Sequence, residues 1–259
     1  MNLRIFCCHH VYRSLIDSEL SNLVIVPDVH GRRFWRDAVG GREGDKIIFL
    51  GDYVDPYGWE GISPGDAYEE LLDIIAFKKE HNDVVLLLGN HDLGYLDPAI
   101  CSCRRDYCRA GILRELFEAE LDLFDIVHVE EKGGRKFLFT HAGIAEDWVR
   151  LHADIAGSLD EFMPERLNGL LHGNLSERGA LFRSLAEVSW FRGGLDEVGS
   201  PVWADVNEYL VGECLVEGYT HIFGHTLHDG GPVSVSDSGF CLDCARAFTL
   251  NQDNELEML

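Results

Sequence analysis

A chain of 259 residues with 46% hydrophobic content can bury a proper core, as one large domain or two small ones, and this excludes a disordered polymer. The formal net charge of −23, from 22 Lys and Arg against 45 Asp and Glu, repels nucleic acid, anionic membranes and phosphorylated ligands alike. Any anionic ligand therefore needs a strong local positive charge, and a bound metal ion is a natural source of one. No apolar run is long enough to span a bilayer, and MNLRIFCCHHVYRSL lacks the zones of a secretion signal, which predicts a cytoplasmic protein with reduced thiols.

In chain order, short apolar runs alternate with helical patterns and predict a mixed α and β fold. The strands expected are Leu23–Pro27, Lys46–Leu50, Val84–Leu88, Asp125–Glu130, Lys136–Thr140, Thr220–Phe223, Pro232–Ser236 and Arg246–Leu250. Between them, Gly65–Glu80 sets Leu71, Leu72, Ile74, Ile75 and Lys78 at helical spacing, and Tyr107–Leu121 does likewise. EEKGGRKF joins two strands through a glycine turn and reads as a hairpin. Residues 145–212 read as mainly helical, with Ser176 of NLSER as one cap, and form an insertion within a single domain over 1–259.

The strands share a manner of ending. Val24–Val26 runs into PDVHG, Ile47–Leu50 into GDYVD, Val85–Leu88 into GNHD, Phe137–Phe139 into THAG, and Ile222–Phe223 into GHT. Ligands of open α/β sheets sit outside the carboxyl ends of strands, where such loops converge. Turn chemistry accounts for Gly, Asn and Asp in these loops but not for repeated His.

These blocks resemble those of the calcineurin-like metallophosphoesterases, and within them the phosphoprotein phosphatase branch, with PDVHG, GDYVDPYG, GNHD, HAG and GHT in order from about residue 23 to about 250. The resemblance implies a four-layer α/β/β/α sandwich, two mixed sheets flanked by helices. It implies a first metal ion on Asp28, His30 and Asp52, a second on Asp52, Asn90, His141 and His225, and Asp52 as the bridge. An all oxygen and nitrogen set suits Mn, Fe or Zn, with Mn favoured here. A hydroxide shared by two such ions attacks phosphorus in line, so no covalent enzyme intermediate is needed. His91 is then the general acid, Asp55 its orienting partner, and Arg192 of SWFRGG and Asn90 the phosphate-binding groups. The implied activity is a phosphomonoesterase acting on phosphorylated protein of the Ser/Thr type, or on a small phosphoester, with no nucleic-acid or membrane partner.

Departures from the pattern matter. The arginine that follows VD in the family is replaced by Pro56, so one phosphate clamp is missing. Arg32 and Arg33 are read as a solvated pair opening a helix and left out of the site. Tyr53, Tyr57 and Trp59 either line the groove or pack. GNHD and HAGI also resemble symmetrical dinucleoside polyphosphate hydrolases, the enzymatic alternative, and a metal-containing scaffold without turnover is the alternative of another class. CCHH at 7–10, Cys101, Cys103 and Cys108 have poor spacing for a zinc site, and Cys241-x-x-Cys244 has the ordinary knuckle interval but no second pair, so all read as free thiols.

Overall fold

The computed structural model describes residues 22–42, 44–100 and 102–259, so the CCHH segment and Cys101 lie outside the described residues. The elements are β1 (Leu23–Val26), α1 (Phe34–Val39), β2 (Lys46–Phe49), α2 (Pro64–Glu80), β3 (Val84–Leu87), α3 (Asn90–Leu96) and α4 (Ala110–Ala119). Then come β4 (Phe124–Asp125), β5 (Val127–Lys132), β6 (Arg135–Thr140), α5 (Glu146–Leu151), α6 (Ala153–Ala156), α7 (Glu165–Leu171), α8 (Leu175–Leu185) and α9 (Val206–Val211). The chain continues through β7 (Thr220–Phe223), β8 (Val233–Ser236), β9 (Gly239–Cys241), β10 (Phe248–Leu250) and β11 (Leu256–Met258).

Two mixed sheets result, a six-stranded one ordered β11-β10-β1-β2-β3-β4 and a five-stranded one ordered β5-β6-β7-β9-β8. Strands β1 to β4 pair in parallel, which requires cover on both faces and explains their unbroken apolar runs. Alternate residues serve different layers. Leu23, Ile25, Ile48, Leu50 and Leu87 pack against Phe137, Phe139 and Ile222 of the second sheet, forming the core between sheets. Their neighbours Val24, Val26, Ile47, Phe49, Val84 and Leu86 join the larger core that includes Leu71, Ile74 and Ile75 of α2. Period-two alternation in the strands thus generates the four layers. A one-residue slip of β1 would exchange the two sets.

The expected strand Asp125–Glu130 is two strands. Phe124 and Asp125 pair with β3 in the first sheet, Val127–Lys132 pairs with β6 in the second, and buried Ile126 is the crossing. Asn168 of α7 clamps it, its Oδ1 accepting from Ile126 N and Val127 N while its Nδ2 donates to Val127 O. The EEKGGRKF hairpin forms as expected, with Gly133 and Gly134 both at positive φ, as a tight right-twisted hairpin requires. Strands β9 and β11 and helix α3 were not expected; each is short, and β11 owes its regularity to antiparallel pairing with β10 rather than to burial.

Segment 145–212 carries α5 to α9 and two single-turn helices. The cap of α8 is Asn174, whose side chain accepts from the backbone N–H of Ser176 and Glu177, so Ser176 is a first-turn residue rather than the cap. Helix α2 begins with a reciprocal box between Ser63 and Asp66 and Pro64 in its first turn. Its buried Glu70 accepts from Arg33 Nε at 2.6 Å, Trp35 Nε1 at 3.2 Å and Arg36 Nη2 at 2.9 Å, tying α1 to α2. Among the described residues, no helix is long and apolar enough to cross a membrane.

Candidate metal centre

The five loops meet at one end of the strands. Asp28 and His30 follow β1, Asp52 and Asp55 follow β2, Asn90, His91 and Asp92 open α3 after β3, His141 follows β6, and His225 follows β7. Among the described residues, seven non-glycine residues have left-handed φ, and four of them are His30 (46°), Asp52 (53°), Asp55 (58°) and His225 (70°). Such angles cost energy for residues bearing a Cβ and concentrate where a side chain must be aimed. The approach is also close. A Cβ added to Gly89 would lie 2.1 Å from Asp52 Oδ1, and one on Gly224 would lie 2.1 Å from Asp28 Oδ1, so the glycines of GN and GH make room for the carboxylates of neighbouring loops.

The tautomers are fixed from behind. His30 Nδ1 lies 2.7 Å from Val54 O and His141 Nδ1 lies 2.8 Å from Leu50 O, so both rings donate to a carbonyl through Nδ1 and present the lone pair of Nε2 to the centre. Those Nε2 atoms face the same oxygen, Asp52 Oδ2, at 3.5 and 3.4 Å. His141 Nε2 also lies 3.1 Å from Asn90 Oδ1 and 3.1 Å from His225 Nδ1. Two groups of side chains have ligand atoms close enough to share an ion: His30, Asp52 and His91, and Asp52, His141 and His225. Asp52 belongs to both. Asp28 belongs to neither group; its Oδ1 accepts from His225 N at 2.9 Å and steers that loop.

The electrostatics are conflicted without a cation. Burial pushes the Asp28 carboxyl up and the His30 and His225 imidazoles well down. Burial opposes the charge of His141 too, yet the Asp52 and Asp28 carboxylates carry it up to about 9. Buried His225 Nε2 has no hydrogen-bond partner. At His141 Nε2, a lone pair turned on Asn90 Oδ1 at 3.1 Å, Asp52 Oδ2 at 3.4 Å and His225 Nδ1 at 3.1 Å sets acceptors against one another, which is what a divalent ion satisfies, so His141, Asn90, Asp52 and His225 fit an ion of the kind the sequence implies.

His91 has a different setting. Its Nδ1 lies 2.7 Å from Asp55 Oδ2, and its backbone N–H donates to Asp52 Oδ1 at 3.0 Å. Burial works against the imidazolium, but Asp52 and the Asp55 hydrogen bond outweigh it and hold its pKa up to about 10. Asp55 is held in turn by the Tyr95 hydroxyl and the Asp106 backbone N–H. Arg192 is anchored next to His225, its Nε 2.7 Å from Asp205 Oδ2 and its Nη2 donating to His225 O and Thr226 Oγ1.

Several residues escaped the sequence reading. Arg32 is buried rather than solvated: it pairs with Glu60 at 2.9 Å and donates to Asp28 O, bracing the first loop from behind. Asp92 accepts from the backbone N–H groups of Asp52, Tyr53 and Gly89, at 2.7, 3.0 and 2.9 Å, and welds two loops together; the D of GNHD was its only signal. Asp243 is buried with neither carboxylate oxygen hydrogen-bonded, and burial and nearby Asp28 raise its pKa well above the carboxylate range. Arg104, from the loop after α3, carries no motif and reaches both His30 and His91. Of the aromatics, Tyr53 packs, its hydroxyl donating to Leu87 O, Tyr57 lies edge-on to His30, and Trp59 is 74% exposed. Cys241 is buried with its Sγ on Gly224 O, and no cysteine joins a metal-binding group among the described residues.

A two-sheet sandwich with an aspartate-bridged cluster of histidines at its strand ends defines a class of hydrolytic metal centre. The chain belongs to the calcineurin-like phosphoesterase family, whose model matches residues 21–229, and is thereby a metal-dependent phosphoester hydrolase. Its fold is similar to that of a cold-active protein tyrosine phosphatase, with a TM-score of 0.57 and 16% identity over 93% of this chain and 79% of that one. Another structure of such an enzyme, from a psychrophilic Shewanella species, gives a TM-score of 0.53 at 16% identity, over 93% of this chain and 80% of that one. No curated protein matches the chain.

Proposed function

We propose that this protein is a dinuclear phosphomonoesterase of the cytoplasm, acting on phosphorylated protein, and that residues 145–212 are an insertion contributing Arg192 to its site. The observation that carries this reading is the membership of Asp52 in both ligand groups, which is how one carboxylate comes to serve two ions. Asp28, His30 and Asp52 would hold one ion, and Asp52, Asn90, His141 and His225 the other. The two ions, Mn ahead of Fe or Zn, would supply the nucleophile near neutral pH and neutralise the phosphoryl oxygens.

The remaining chemistry belongs to the chain. His91 holds a proton for the departing oxygen, and Asp55, 2.7 Å from Nδ1, keeps that proton on Nε2. Arg192 and Asn90 position the phosphoryl group from the His225 side. A scaffold without turnover has no use for the His91–Asp55 pair, which supports the enzymatic reading over that alternative.

The motifs favour Ser/Thr phosphoesters, while the solved structures of similar fold are named for phosphotyrosine in proteins. GNHD and HAGI keep diadenosine tetraphosphate as the second reading. One assay separates them: protein loaded with Mn is offered phosphoserine, phosphothreonine and phosphotyrosine peptides beside the dinucleotide. Faster turnover of the peptides is expected, with loss on chelation and recovery with Mn. A strong preference for the dinucleotide would replace the substrate class.

A further inference from the structure

Arg104 reaches the centre from the loop between α3 and α4, which has no strand end and no recognisable motif. Its Nη2 lies 3.3 Å from His30 Nε2 and 3.3 Å from His91 Nε2, over the gap between a candidate ligand and the candidate acid. The rest of the side chain is fixed. Nε donates to Asp55 O at 3.1 Å, Nη1 to Cys103 Sγ at 3.2 Å, and the guanidinium lies over Tyr57 with Cζ 3.8 Å from the ring centroid. Its backbone sits at φ 61°, one of the seven left-handed non-glycine residues among those described, four others of which are in the centre itself. Holding a β-carbon residue at that angle is costly, so the surrounding contacts must over-determine it.

We propose that Arg104 is a phosphoryl-binding residue of this centre, supplying from a separate loop the cation that Pro56 does not; the proposal rests on the phosphoesterase reading above. An imidazole nitrogen has a single lone pair. When His30 gives it to a metal ion, Nη2 loses that acceptor. The guanidinium is then left with N–H groups pointing into the centre and with its other contacts intact. A phosphoryl oxygen is the acceptor that restores the balance, and a planar guanidinium is suited to take two of them. In a chain of net charge −23, one cation aimed at the reacting group also offsets the general repulsion of a phosphate dianion.

The test is inorganic phosphate binding to the Mn-saturated protein, followed by calorimetry beside measured metal content. Arg104→Gln and Arg104→Lys are compared with wild type and with Arg114→Gln, which removes an equal charge from an exposed ion pair on α4. Arg104→Gln should weaken phosphate about ten- to hundredfold with metal content unchanged, Arg104→Lys should recover part of the loss, and Arg114→Gln should match wild type. KM for an aryl phosphate should rise in the same order. Equal phosphate affinity in wild type and both Arg104 variants overturns the proposal, as does tighter phosphate binding in Arg104→Gln. A wild type that neither binds phosphate nor hydrolyses any phosphoester instead removes the functional reading beneath it. Thermal melts identify a variant that fails to fold, in which case Arg104→Lys decides alone.

Discussion

On the side of His141 and His225, the ligand atoms crowd one another, and the guanidinium of Arg192 is bound to Asp205, His225 O and Thr226 Oγ1. Loops from both sheets close it: His141 leans on Leu50 O of the first sheet, and its Nε2 has Asn90, Asp52 and His225 within 3.4 Å. On the side of His30 and His91, the imidazoles face a guanidinium, and the Arg104 loop rather than a second sheet forms the wall. The carboxylates lift His141 up to about 9, whereas burial leaves His30 well below its ordinary range. One half therefore has its guanidinium paired with the Asp205 carboxylate, whereas the other has one set against two imidazole nitrogens. The difference teaches that the two ions should be bound unequally, although both share Asp52.

The comparison can be broken first at its hinge. Asp52→Asn removes the shared carboxylate and should lower kcat/KM at least about 10³-fold, with both ions lost by metal analysis. Retention of two ions in that variant would dissolve the link between the halves. His91→Asn should retain both ions and lose about 10²–10³-fold on an alkyl phosphate, with a smaller loss on an aryl phosphate, whose leaving group needs less protonation. An equal loss on both esters would remove His91 as the acid. Next, Mn titration should resolve two steps at least about tenfold apart, because Arg104 repels the ion on its side. His141→Asn should abolish the tight step and His30→Asn the weak one; the reverse assignment would invert the comparison.

The smallest effect comes from His221, a buried imidazole on the same strand that delivers His225. Its Nε2 bonds Val216 O at 2.8 Å, and with no carboxylate at hand burial pulls its pKa down to about 4. A lowered histidine stabilises the fold in full above the unfolded value near 6.5, and that contribution drains away as pH falls toward 4. Between pH 7 and 5.5 the protein should lose about 1 kcal/mol through this residue. Denaturant curves of His221→Gln should show a correspondingly flatter acid limb, and an unchanged limb would contradict the assignment.

Much of this was legible in the sequence because strand ends are local. An apolar run closing on GD, GN or GH states both where a strand stops and what it presents, so β1, β2, β3, β6 and β7 and their side chains could be read together. The crossing at Ile126 could not, since the run FDIVHVE is continuous in hydrophobicity and only Asn168, forty-two residues away, marks the break. Arg32 was misread for a similar reason: its partner Glu60 lies twenty-eight residues on, and a basic pair looks solvated until that carboxylate is placed. Arg104 sits in CSCRRDYCR, where neither spacing nor periodicity signals a site; only the loop that follows α3 brings it to His30.

The most direct test of the account is anomalous diffraction from crystals of the wild-type protein grown with excess Mn. The account predicts two peaks flanking the Asp52 carboxylate, one between it and His30, the other between it, His141 and His225. A single peak, or none, with Arg104 still seated on both His30 and His91, would contradict it.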